Sequence, residues 1–208
     1  MSDEFLTLKT HLVTYAQRID KLALAPNTQG NLSMRDSRSG LIAITPHDYP
    51  YPLMTADDVV VVDAQGRGVE GTREPSHETP VHCTVYQERS AVHAIVHAEP
   101  IYVNVFGVLG RSIPPVVVSL LLAVGGETPV MPFMPSGSEA FAREMLRCLG
   151  DKKAVIWAQH GCLTIGATLE EAVRCVVALE GGAQVAYLAD QLGTPAVLSM
   201  ADLSGATG

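Results

Sequence analysis

Three short stretches of the chain hold residues whose types and spacing could do chemistry. In AIVHAEP, His97 and Glu99 alternate with small or apolar residues. On a strand both side chains point to one face with Cα atoms about 6.5 Å apart, a separation that lets two ligands close on one ion. In WAQHGCL, His160 follows an apolar run and precedes Gly161, which permits a sharp turn. A histidine at such a strand end can aim its ring back along the sheet and complete a metal site. Two imidazoles and one carboxylate (His97, His160, Glu99) leave positions open for water or substrate, as a catalytic metal requires. In PSHETPVHCTVY, Glu78 lies in the first turn of an expected helix, with His82 and Tyr86 following on its face at steps of four.

Each residue also has a plainer reading. His97 in an apolar strand could be a hydrogen-bonded core histidine, and Glu99 before Pro100 a solvated charge at a strand end. His93 and His97 could form a helical i,i+4 pair, although β-branched neighbours and Pro100 speak for a strand. Glu78 could be an acidic residue whose only role is to interact with a helix N-terminus, a contribution of under about 1 kcal/mol.

The elements that must position these residues are read from periodicity and breakers. Residues 2–25 read as an amphipathic helix with Phe5, Leu8, Leu12, Tyr15, Ile19 and Leu22 on one stripe and Ser2 or Asp3 as cap. The segment 26–30 stops it. Short strands are expected at 31–35, 41–45 and 59–63, the last ending in the hairpin-type AQGRG. A helix capped by Ser76 follows over 76–89, then a buried strand over 92–99 that Pro100 ends, then a helix over 101–109. A strand over 130–134 leads to a helix over 136–149 capped by Ser136 or Ser138. Strands at 154–158 and 162–165 flank the QHG corner. A long helix over 169–192, loosened at Gly181–Gly182, precedes a small polar tail, 199–208, expected to fray. No linker or repeat interrupts the chain, so residues 1–208 read as one α/β domain.

Bulk properties narrow the partners. The 208 residues are 47% hydrophobic and 17% charged, an apolar globular composition. A net charge of −8 with no basic run excludes a nucleic-acid binder, since phosphate backbones demand clustered Lys and Arg. The N-terminus is acidic where a signal peptide would be basic. The apolar run 113–124 carries two prolines and is too short to span a bilayer. Four cysteines without a CxxC pair read as reduced thiols, which with the other features points to the cytoplasm. The apolar fraction favours an oligomer that buries some of it between subunits.

Five blocks in order make the chain resemble the class II aldolase and adducin-head family: GNLSMRD with LIAITP, EGTREPSHETPVHCTVYQER, AVHAIVHAEP, AVGGETPVMPF, and AVIWAQHGCLTIGATLEEA. The resemblance implies a three-layer α/β/α fold with a mostly antiparallel central sheet. It implies a C4-like homotetramer with active sites between subunits, and one divalent ion per subunit, zinc first, with Mn, Fe or Co as alternatives. The family's HxH ligands fall on His97 and Glu99, its third His on His160, and its acidic catalytic residue on Glu78. The implied chemistry is cleavage of a carbon–carbon bond in a small keto-sugar or keto-acid, by retro-aldol reaction or decarboxylation, with Glu78 as general acid/base.

Four departures from the family pattern bear on substrate. Glu99 replaces a His ligand, which lowers the charge of the site by one and shifts metal preference from Zn toward Mn, Fe or Co. The phosphate pocket keeps Asn31 and Ser76, but its other positions read His47, Asp48 and His77, a set fitted to a carboxylate or an unphosphorylated ligand. The proton-donating Tyr aligns with Ser119 or a near neighbour, and no Tyr follows Leu198. The alternatives to the lyase are an epimerase or dehydratase of sugar phosphates and a non-catalytic interaction domain like the adducin head.

Overall fold

The computed structural model describes residues 5–204. Helix α1 (Leu6–Lys21) leads into strand β1 (Asn31–Arg35), β2 (Ile42–Ile44), β3 (Val60–Val62) and β4 (Gly68–Glu70). Helix α2 (Thr79–Glu88) precedes β5 (Ala94–Ala98), α3 (Ile101–Leu109), α4 (Val118–Val124) and β6 (Val130–Met131). The chain closes with α5 (Glu139–Leu149), β7 (Ala154–Trp157), β8 (Gly161–Gly166), α6 (Leu169–Asp190) and α7 (Met200–Ser204). All eight strands form one sheet in the order β4-β3-β2-β1-β5-β8-β7-β6. Every neighbouring pair is antiparallel except β6–β7 at the edge.

Strand alternation divides the core in two. Ala94, Val96 and Ala98 of β5 enter a core with Leu12, Ala16 and Ile19 of α1, Phe106 of α3, Leu120 of α4 and the buried stripe of α6. Ile95, between them, enters a second core with Val81 and Val85 of α2 and Phe141 and Met145 of α5. The result is the three-layer α/β/α arrangement that the family resemblance implies. Period-2 alternation in the central strands and period-3.6 stripes in the helices specify the same two faces.

Several elements differ from the sequence reading for local reasons. Helix α1 ends at Lys21, before the expected 25, because Ala23 takes a left-handed φ of 55°. The expected caps Ser2 and Asp3 lie outside the described residues. Ser76 does not cap α2: its hydroxyl accepts from the Glu78 N–H two residues on, an ST-turn, and the helix begins at Thr79 with Glu78 as its N-cap residue. Ser138, not Ser136, caps α5 by accepting from the Phe141 N–H. The apolar run 113–124 contains α4, a helix the two prolines hid. Helix α6 is continuous through Gly181–Gly182, because Leu120 of α4 packs directly over Gly182. Of the tail 199–208, expected to fray, Met200–Ser204 forms α7, and residues 205–208 lie outside the described residues. Among the described residues α6 alone has the length and apolarity to cross a bilayer. Its buried residues, Leu169 to Ala186, belong to the core against the sheet.

Candidate active site

The site assembles where β1 and β5 run side by side. Asn31 and His97 are register partners across the two strands, so both side chains face the α2/α5 layer. Tyr51 ties the preceding loop to the sheet by donating to the Gly30 carbonyl at 2.9 Å. Gly30 has a φ of +92°, and a Cβ there would lie 2.6 Å from the His97 carbonyl oxygen, so only glycine lets this loop close on β5. His160 stands in the corner between β7 and β8. Gln159 takes a φ of 60° and Gly161 a φ of 149°, and a Cβ on Gly161 would meet the Ala98 carbonyl at 2.4 Å. This close approach seats the His160 corner against the end of β5.

Glu78 reaches the same point from the N-cap of α2. Its carboxylate is 7% exposed and accepts from the Asn31 amide at 2.9 Å. One carboxylate oxygen lies 3.5 Å from His97 Nε2 and the other 3.6 Å from His160 Nε2. His97 donates from Nδ1 to the Cys162 carbonyl at 3.0 Å, which leaves the Nε2 lone pair facing Glu78. Its ring stacks on Trp157 at 4.4 Å, and Phe141 meets that indole edge-on. The ring is thereby fixed on its face and at its edge.

The electrostatics suit a ligand set. Burial pushes the Glu78 carboxyl up, but the fields of His97, His160 and His82 and the Asn31 hydrogen bond outweigh it, so it lies below the usual carboxylate value. Burial and the His97 field lower His160 against the pull of Glu78 and Glu99, keeping the imidazole neutral with a free lone pair at neutral pH. Burial raises Glu99, with Glu78 adding and His160 opposing.

The expected metal, catalytic and substrate residues line one cavity of about 180 Å³: Glu78, His97, Glu99 and His160 with Asn31, His47, Asp48, Ser76 and His77. His82 and Tyr86 lie outside it, buried behind Glu78 on α2. The cluster that the structure brings together shares His97 and His160 with the expected ligand set and has Glu78 beside them. The three groups whose donor atoms lie within 4.8 Å of one another are Glu78, His97 and His160. Glu99 lies outside that group, with its Cγ against the Gly161 backbone. Four cavity residues escaped the sequence reading: Thr28, Gly30, Pro46 and Ser136. Trp157 also escaped it, although its place three residues before His160 was a usable signal. Ser119 is exposed on α4 and does not line the cavity.

The model of the class II aldolase and adducin N-terminal domain matches residues 10–187. The chain belongs to the class II aldolase and adducin family. It is 29% identical over 191 residues to the 5-deoxy-D-ribulose 1-phosphate aldolase of Bacillus thuringiensis, covering 91% of this chain and 89% of that one. It is 32% identical over 168 residues to the L-fuculose phosphate aldolase of Haemophilus influenzae, covering 80% of this chain and 76% of that one. A solved L-fuculose 1-phosphate aldolase superposes with a TM-score of 0.90 at 30% identity, over 98% of this chain and 94% of the other. Class II aldolases use a divalent metal, and the donor set here fits one. A tetrahedral ion with bonds near 2.1 Å separates its ligands by about 3.4 Å, and the two imidazole-to-carboxylate distances are 3.5 and 3.6 Å. Contacts of that length are too long for hydrogen bonds.

Proposed function

We propose that the chain is a metal-dependent lyase that cleaves a carbon–carbon bond of a small keto-sugar or keto-acid, by retro-aldol reaction or decarboxylation. The observation that carries this reading is the convergence of two imidazoles and a carboxylate in one cavity, in the fold of class II aldolases. A non-catalytic interaction domain has no use for that cluster.

His97 and His160 would hold the ion through their Nε2 atoms, with Glu78 as the third donor in the ligand-free protein. The ion would supply Lewis acidity at a carbonyl oxygen while the neighbouring carbon–carbon bond breaks. Glu78 is the proton carrier: it is ionised, aimed by Asn31, and sheltered from water, as a base working on a substrate proton must be. Glu99, which lines the same cavity, would be the carboxylate left to hold the ion with the two histidines when Glu78 serves the substrate. Two imidazoles and a carboxylate accept zinc, and the carboxylate extends the choice to Mn, Fe or Co. The resemblance also implies a homotetramer. The exposed apolar faces of α3 (Ile101, Val108, Leu109) and α4 (Val118, Leu122) support assembly.

The test is a screen of ketoses, ketose phosphates and 2-keto acids with added Zn or Mn, alongside metal analysis of the purified protein. Cleavage of at least one compound with about one ion per chain is expected. A metal-free protein inert toward the whole panel, in the presence of either ion, contradicts the proposal.

A further inference from the structure

The cavity that holds the His97–His160 cluster is also lined by two loops that pair with each other. Pro46 bridges Pro75, His47 N–H donates to the Glu74 carbonyl, and Ser76 N–H to the Thr45 carbonyl. This pairing stacks the His47 and His77 rings face to face, with centroids 3.6 Å apart and planes 19° from parallel. The stack covers one face of each ring. His77 Nε2 already donates to Glu74 at 3.2 Å.

Beside these rings the cavity is rich in acceptors. Asp48 takes a left-handed φ of 45° and receives the Thr28 hydroxyl on one oxygen at 2.6 Å. Among the described residues its other oxygen receives no hydrogen bond. Asn31, 6% exposed, gives its amide N–H to the Glu78 carboxylate, which fixes the orientation of the amide. Its carbonyl oxygen Oδ1 is left buried with no partner. A buried orphan acceptor needs a donor, from a ligand or a water. Among the described residues, no Lys or Arg lines the cavity, whereas Asp48, Glu78 and Glu99 do.

A phosphate dianion offers only acceptor oxygens and would stand beside Asp48 with no fixed cation to offset it. Hydroxyl groups answer every feature: they donate to Asn31 Oδ1 and Asp48 and accept from an imidazole N–H. We propose that this cavity takes the unphosphorylated, polyhydroxylated end of a short ketose. This rests on the lyase reading above and sets the chain apart from relatives whose names carry a sugar phosphate.

The experiment compares a free ketose with its phosphate ester, L-fuculose against L-fuculose 1-phosphate, by kcat/KM and, separately, by calorimetric binding to the metal-loaded protein. The free sugar is expected to be favoured at least tenfold in both. Asp48→Asn, which keeps a residue tolerant of the left-handed backbone, is expected to narrow that gap. Preference for the phosphate ester in the wild type overturns the proposal and leaves the lyase reading intact. If neither sugar is cleaved, the lyase reading loses this substrate class, and calorimetry alone decides. Tighter binding of the free sugar then supports the proposal, and tighter binding of the ester, or binding of neither, overturns it.

Discussion

The proposed function gives the two carboxylates at the site different jobs, and single substitutions separate them. Glu78→Gln keeps an oxygen donor and the shape of the side chain but cannot carry a proton. It is expected to leave metal content unchanged and to lower kcat by about 10²–10⁴. Glu99→Gln is expected to weaken metal retention in dialysis, with kcat recovering when excess ion is added. If the two variants exchange these effects, the assignment is reversed. His82 carries a prediction of another kind. It is fully buried beside Glu78, with Nδ1 2.6 Å from the Ser33 hydroxyl that also contacts Tyr86. Burial pushes it down to about 3, with His97 also lowering it and Glu78 opposing, against 6.5 for a free imidazole. Above pH 6.5 both folded and unfolded chains hold it neutral. Below 6.5 the unfolded chain takes up a proton that the folded chain refuses. Stability therefore falls as pH drops from 6.5 toward 3, by up to about 1.4 kcal/mol per pH unit. Urea midpoints of the metal-free protein between pH 7 and 5 should follow that slope, and His82→Gln should flatten it.

At the scale of elements, how far the sequence could be read depended on whether the determinant was local. The breaker Pro100 placed both the end of β5 and the start of α3, and strand alternation placed His97 on the site face. His160 was legible because an apolar strand and Gly161 frame it. The third member, Glu78, was singled out by its motif and by the family resemblance, but local spacing did not place it in the cluster: spacing within β5 pairs His97 with Glu99. Glu78 arrives from 19 residues earlier by docking α2 on the sheet, a tertiary contact that no local pattern encodes. The Ser76 cap was misread because a serine can serve the second N–H beyond it as well as a helix end. Helix α4 was missed because Pro114 and Pro115 break the apolar run just before it and Ser119 interrupts it. A long-range contact equally hidden in the sequence anchors α3. Glu180 of α6 accepts from the Tyr102 and Val103 N–H groups at 3.0 Å each, satisfying two free donors of the helix start with a charge that also suits its dipole. Glu180→Ala is expected to cost about 1.5–3 kcal/mol in denaturant unfolding. An unchanged midpoint would mean that water replaces the carboxylate without loss.

At the scale of the molecule, the sheet edge and the helical layers leave apolar surface uncovered in a single chain. Ile101, Val108 and Leu109 on α3 are 68%, 62% and 61% exposed, more than an isolated subunit would keep in water without a reason. The proposed tetramer accounts for them. Light scattering is expected to give about four times the 22.1 kDa chain mass, and Val108→Glu to reduce it; a wild-type monomer would leave that face unexplained. The central claim, however, is that a divalent ion held by His97 and His160 enables carbon–carbon cleavage. Its most direct test follows product release from a cleaved ketose or keto acid before chelation, after dialysis against a chelator, and after return of one equivalent of Zn or Mn. The account expects turnover to vanish on chelation and return with the ion in the wild type, but not in His97→Ala or His160→Ala. Turnover that survives chelation, or that returns equally in those variants, would contradict it.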